Sequence, residues 1–368
     1  MRILYGIAGD GLGHAVRSAV IIEQLKAQGH DIQIVVSDEA ADYLAPKFPD
    51  LTEIWGLSLE TQGNEVSPAR TVASNVRRGL APSGLPRNIY KCFDVARSFD
   101  PDVVISDHEL WSWFFATLND IPLVGLDNIH LLSRCDHPPE IMHNLQSQYP
   151  LEWLIVKNRV PSAQHYLVSS FARPEPTEPD TTLIPPVLRN CILEADPTDE
   201  GHLVVYQTSY SQVDLIGMLR NIDRPVYVFG SECRRRIDNV RFRPFNEHEF
   251  IERLATCRAV VGSAGFTLMT EALHLGKPYF AIPVEGQIEQ MLNARYLAWL
   301  GYGEYAKNPD RPALERFLER VPQFKDALER YDRFDNEPTF EKLETLLERH
   351  TTRPELDHTD TRALRAAE

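Results

Sequence analysis

A β-branched pair, Val260 and Val261, runs into the small-residue turn Gly262-Ser263-Ala264-Gly265, and a helical pattern opens at once with Phe266, Thr267 and Leu268. A strand–turn–helix of this kind aims several backbone N–H groups and the positive end of a helix dipole at one point. That makes an anion site, and diphosphate is a usual guest. One helical turn later, Glu271 stands within reach of a sugar hydroxyl, and Glu289 and Gln290 supply a carboxylate and an amide suited to further hydroxyls. For the glycine turn taken alone, an ordinary connection with no ligand is the plain alternative.

A second glycine cluster, Gly9, Gly11 and Gly13, separates the apolar run Ile3 to Ala8 from a helical pattern through Val16, Ala19, Val20, Ile22 and Leu25. The dinucleotide fingerprint G-x-G-x-x-G fails here at its third glycine, because His14 stands where close helix–strand packing requires one. The mismatch argues against a nicotinamide cofactor and leaves the glycines to clear space for a ligand beside His14. A histidine can take a proton from a hydroxyl near neutral pH, a contribution of roughly 10²–10⁴ in rate. It needs a carboxylate to orient it. Asp107 is the expected partner, since it ends the strand-like run Asp102 to Ser106 and ligands of open parallel sheets gather at the carboxyl edge. A helix cap or a surface residue is the alternative for His14.

Asp100-Pro101-Asp102 has the D-x-D spacing of divalent-ion ligands, but it precedes its strand and Pro101 makes it a turn, so it reads as structural. Asp107, His108, Glu109, Asp127, His130, Asp136 and His137 would hold a metal only if their loops converged, and no tight pattern such as H-E-x-x-H supports that. No metal ligand and no cofactor are expected.

The elements that must position these groups follow a β-α-β rhythm. Apolar runs at Ile32–Val36, Val103–Ile105, Leu123–Leu126 and Tyr166–Val168 alternate with helical stretches. A second such series begins at His202 and continues through Val226–Phe229, Ala259–Val261 and Tyr279–Ile282. Continuous apolar strands between helices imply parallel sheets covered on both faces. At 368 residues the chain has room for two domains. We expect an α/β domain over 1–172, a proline-rich linker over 173–186, a second α/β domain over 187–335, a closing helix over 336–350 and a mobile tail over 351–368.

A formal charge of −15 makes a sequence-independent nucleic-acid binder improbable. Five scattered cysteines with no C-x-x-C pair read as reduced thiols, so a cytoplasmic protein is expected. The segment 68–97 reverses the local sign with Arg70, Arg77, Arg78, Arg87, Lys91 and Arg97 among apolar residues. It suits docking on the anionic inner face of a membrane or holding an anionic acceptor, and a solvated helical pair is the bland alternative.

Together, Gly9-x-Gly11-x-Gly13-His14 with Arg17, the proline-flanked linker and the block Gly262 to Ala294 resemble the GT-B glycosyltransferases, in particular the group of MurG and the UDP-glycosyltransferases. The resemblance implies two Rossmann-like doubly wound domains facing across a cleft, the first acceptor-binding and the second nucleotide-sugar-binding, and transfer of a sugar from a nucleoside-diphosphate donor, UDP-linked, to an acceptor hydroxyl; the basic segment 68–97 suits an acceptor that is lipid-linked or anionic. The resemblance also implies an inverting, metal-independent reaction with His14 as base and Asp107 as its partner. By motif, the backbone around Ser263, Ala264, Gly265, Phe266 and Thr267 would hold the diphosphate, Glu271 the ribose, Glu289 and Gln290 the hexose, and Arg243-Pro244-Phe245 would lie by the base. Gly11, Gly13, Asp127 and Asn128 would face the acceptor. The loop Gln207 to Ser211 departs from the family by lacking glycines, with Thr208 and Ser209 standing in near the phosphates. A non-hydrolysing nucleotide-sugar 2-epimerase, an NAD-dependent oxidoreductase and a non-catalytic nucleotide-sugar-binding protein are the alternatives.

Overall fold

The computed structural model describes residues 1–9, 11–56, 61–62, 65–80, 85–206, 215–230 and 234–351. Its first sheet places the strands in the spatial order Thr52–Ile54, Asp31–Ser37, Arg2–Ile7, Val103–Asp107, Leu123–Asp127, His165–Ser169 and Thr181–Ile184. Every neighbouring pair is parallel. The second sheet runs Arg235–Ile237, Val240–Phe242, Val226–Phe229, Leu203–Tyr206, Ala259–Gly262, Tyr279–Ala281 and Gly303–Tyr305. It is parallel apart from its first strand. These are the two doubly wound α/β domains that the alternation of apolar runs and helices implies.

In each domain the strand order reverses beside the first strand, and that reversal opens a crevice at the carboxyl ends. In the first sheet, the crevice lies where Ile7 is in register with Asp107. In the second, it lies where Tyr206 is in register with Gly262. The two glycine clusters of the sequence follow Ile7 and Gly262 directly, so topology alone brings both to ligand-binding edges.

One segment differs from expectation. The proline stretch 173–186 does more than link the domains, because Thr181–Ile184 forms the edge strand of the first sheet. Its Thr-Thr-Leu-Ile sequence favours the pleat, and Pro179 before it with Pro185 and Pro186 after it are placed where an edge strand tolerates them. The closing helix, Glu337–Thr351, packs back on the first domain. Leu343, Leu346 and Leu347, spaced along one helical face, are buried with Ile3, Tyr5, Ile7 and Val187. The expected tail beyond Thr351 lies outside the described residues.

Candidate active site

The helix Leu12–Ala27 starts right after the first strand, with Gly11 in the left-handed region at φ 83° as its N-cap. His14 therefore sits in the first turn, above the end of the neighbouring strand. Its Nδ1 lies 2.7 Å from Asp107 Oδ1, with both side chains buried. Arg17, one turn on and on the same helical face, lays its guanidinium across the same carboxylate: Nε donates to Oδ2 at 3.0 Å and Nη2 to Oδ1 at 2.6 Å. The Ser18 hydroxyl donates to Oδ2 at 2.9 Å.

Burial alone would raise the Asp107 carboxyl, but the charge of Arg17, then His14, and their hydrogen bonds hold it at about 2. An ionised carboxylate only accepts, so the Nδ1 proton of His14 points at Asp107 and leaves Nε2 with the lone pair that a general base needs. Stability has a matching pH dependence. Asp107 binds its proton less readily folded than unfolded, so its contribution is complete above the ordinary value near 3.8 and is lost as pH falls toward 2. We expect the unfolding free energy of the wild type, relative to Asp107→Asn, to shrink by about 2 kcal/mol between pH 5 and pH 2 in urea titrations. A constant difference would remove the charge network from the account.

Across the cleft, the helix Phe266–His274 opens after the turn Gly262 to Gly265, and its N-cap Gly265 has no side chain to cap it. The Ser263 carbonyl accepts from Tyr279 Oη at 2.6 Å and the Ala264 carbonyl from Asn293 Nδ2 at 3.0 Å. With those oxygens held by the protein, the amide edge of the turn and the uncapped helix N-terminus are the groups suited to an anion. Phe245 is 45% exposed and packs edge-on against Tyr206, at the end of the first strand of this domain.

The two halves touch. Thr267 Oγ1 donates to the Gly13 carbonyl at 3.2 Å, and a Cβ on Gly13 would come within 3.1 Å of that hydroxyl, so a glycine permits this approach. Phe171 and Phe266 pack with ring centroids 6.1 Å apart. A continuous chain of polar contacts crosses the cleft: Arg17 Nη1 donates to Asn128 Oδ1 and Asn128 Nδ2 donates to Glu289 Oε1, each at 2.7 Å.

Two residues expected to meet the donor have unforeseen partners. Both oxygens of Glu271, which is 1% exposed, accept from Arg189, with Nε and Nη2 each at 2.7 Å. Arg189 also donates to Glu247 at 2.6 Å. Gln290 folds onto its own loop, its Oε1 accepting from the Val284 amide at 3.0 Å and its amide donating to Gln287. Thr208 and Ser209 lie outside the described residues. Asp100 and Asp102 bond the Arg2 side chain and amide at the opposite edge of the first sheet.

Of the scattered His and acidic group, Asp127 and His130 pair at 2.6 Å, and His108 joins them, its Nδ1 3.9 Å from Asp127 Oδ2. Burial and then the positive charge of Arg159, with His130, His14 and Arg17, hold the His108 ring well below the usual histidine value, so it is neutral. Glu109 instead caps the helix Leu110–Leu118 through the Trp111 and Ser112 amides. His137 bonds Tyr296.

Comparison with known proteins decides the family. Residues 1–322 match the model of glycosyl transferase family 1. The chain belongs to that family. This glycosyltransferase is 20% identical to an uncharacterized glycosyltransferase of Methanosarcina mazei, over 92% of its own length and 95% of the relative's. A second relative, an uncharacterized glycosyltransferase of Methanosarcina acetivorans, is 22% identical with the same coverage. Among solved structures, the glycosyltransferase VinC in complex with dTDP is similar at a TM-score of 0.61 and 17% identity, covering 95% of this chain and 100% of that one. MurG of Acinetobacter baumannii is similar at 0.58 and 12% identity, with 94% and 100% covered. These likenesses establish the GT-B fold of the glycosyltransferase.

In the sequence Arg17 belongs to the motif but carries no assigned role, and Arg189 is not singled out. Arg17 stands three residues from His14, a spacing that puts both on one helical face, and that signal could have assigned it to Asp107. For Arg189 no local pattern pointed to Glu271.

Proposed function

We propose that this glycosyltransferase moves a sugar from a nucleoside-diphosphate donor, UDP-linked, to an acceptor hydroxyl in a single inverting displacement. The observation that carries the reading is the Gly13–Thr267 contact, which sets the oriented His14–Asp107 pair directly against the uncapped helix N-terminus of the other domain. His14 Nε2 takes the acceptor proton as the acceptor oxygen bonds to the anomeric carbon. The bond from that carbon to the diphosphate breaks, and its electron pair leaves on the diphosphate. Amides around Ser263 to Thr267 and the helix dipole stabilise that charge, a role that needs no divalent ion.

In this reading the exposed ring of Phe245 stacks on the base, and Glu271 accepts from the ribose through the lone pairs that Arg189 leaves free. Glu289 exchanges its Asn128 partner for a hexose hydroxyl. Gln290 shapes the loop beneath the hexose, while Thr208 and Ser209 sit near the phosphates. Gly11, Gly13, Asp127 and Asn128 line the acceptor side. The helices Pro68–Leu80 and Leu85–Phe99 expose Val76, Leu80 and Tyr90 beside basic residues, which supports an acceptor that is lipid-linked or anionic and contact with the inner face of a membrane. Among the described residues no helix is long and apolar enough to cross one.

A thermal-shift screen over UDP, GDP, dTDP and their sugars tests the donor. A ligand at roughly 100 times its Kd adds about 2.7 kcal/mol to the native state, which raises the melting point by several degrees. We expect UDP and one UDP-sugar to give the largest shifts, with calorimetric affinities unchanged by EDTA. An affinity that collapses in EDTA and returns with Mg²⁺ or Mn²⁺ would overturn the metal-free seating of the diphosphate.

A further inference from the structure

We propose that His108, Asp127 and His130 form a binding site for one divalent transition-metal ion of the zinc class, on the acceptor-side domain and separate from the diphosphate loop. Two imidazoles and a carboxylate are a common ligand set for such ions. Ligand atoms from the three residues lie within 4.8 Å of one another, and all three residues are buried.

In the sequence they are three of seven scattered His and acidic residues that would hold a metal only if their loops converged. Strand pairing does the rest, because Val103–Asp107 and Leu123–Asp127 are neighbours whose carboxyl ends deliver His108 and Asp127 to one point. The backbone of His108 is in the left-handed region at φ 56°. That conformation is uncommon for a residue with a side chain and needs support from its surroundings.

One atom turns this cluster into a candidate site. His108 Nδ1 is buried and has no hydrogen-bond partner, although the residue is only 3% exposed. An unpaired buried nitrogen costs on the order of 1–3 kcal/mol, and such a group in a native structure calls for an unseen partner. It faces Asp127 Oδ2 at 3.9 Å, and the same oxygen meets His130 Nδ1 at 2.6 Å.

A tetrahedral ion with bonds of roughly 2.0–2.2 Å needs ligand atoms about 3.3–3.6 Å apart, between the two distances observed. Small rotations of the rings would therefore admit it, and the ion would replace the proton that His130 now donates to Asp127. The carboxylate is already oriented, since its other oxygen accepts from the His130 amide at 2.9 Å. Supporting bonds of this kind are a usual feature of metal sites. Three protein ligands leave one position for water. The His14 ring, stacked on His108 at 6.4 Å, keeps its bond to Asp107 and stays outside the set.

The test uses the metal alone, so it stands apart from the donor and from turnover. Full-length protein, stripped with chelator and dialysed, is titrated with Zn²⁺ and with Co²⁺ as a visible-absorbing probe. Bound metal is measured by elemental analysis. We expect one equivalent per chain, Co²⁺ bands typical of a four-coordinate site, and a loss of affinity greater than about 100-fold in His108→Phe, more than removal of a supporting partner alone costs. His108→Phe keeps the ring volume, and Asp127→Asn keeps the shape of the carboxylate, so circular dichroism can confirm that each variant is folded. Substoichiometric binding by the wild type would overturn the proposal, as would equal binding by wild type and both folded variants. The first result would leave a buried water as the partner of His108.

Discussion

His14→Ala is expected to lower turnover by about 10²-fold or more while UDP affinity stays nearly unchanged. A positioned general base contributes roughly 10²–10⁴, and the donor contacts proposed above lie on the other domain. Because Asp107 orients the same ring, the double variant with Asp107→Asn is expected to be little slower than His14→Ala alone: residues that act as one unit are not additive. Asp107 also holds Arg17 and Ser18, so each comparison uses kcat of protein shown to be folded. Multiplicative losses would mean that the two act independently. Near-normal turnover in His14→Ala would leave the residue as part of the helix start.

The second large effect concerns the pair Arg189–Glu271. Glu271→Ala leaves a guanidinium that is 9% exposed with, among the described residues, Glu247 to meet its charge, and breaking a buried pair costs about 3–5 kcal/mol. Chemical denaturation should show that loss in Glu271→Ala and a comparable one in Arg189→Met. The joint change to Glu271→Leu with Arg189→Met should restore much of it, since an apolar replacement of a buried pair is close to neutral. Nucleotide binding separates the roles. Glu271→Gln should weaken UDP by about 1–3 kcal/mol through loss of the charge-assisted bond to ribose, whereas folded Arg189→Met should keep UDP binding. Equal UDP affinity in both variants would confine Glu271 to holding Arg189. In the sequence Glu271 reads as a ribose ligand alone, which gives no reason to expect a loss of stability; its burial against Arg189 supplies one.

Legibility in the sequence followed the range of the interactions. The turn at Gly262 to Gly265 and the helix after it were readable because small residues after a β-branched pair report on local backbone. The His14–Asp107 pairing was readable from a general rule, that functional groups collect at the carboxyl edge of parallel strands, although the residues are 93 apart. Arg189 could not be placed, because its segment precedes the first strand of the second sheet, Leu203–Tyr206, and meets Glu271 only once that domain is folded. The edge strand Thr181–Ile184 was masked by the prolines around it, which mark chain breaks in a helix or central strand but are compatible with an edge. His108 was one histidine among several until two neighbouring strands brought it to Asp127.

The single displacement proposed for the nucleotide-bound sugar inverts its anomeric carbon, so the stereochemistry of the product decides whether it occurs. With an excess of the donor found by thermal shift, proton NMR can follow the first product formed, whether on an added alcohol or on water, before mutarotation. From an α-linked donor we expect the β product, at a rate that falls with His14→Ala. An α product would contradict the account, because retention requires a different path from the one-step attack that His14 is placed to assist.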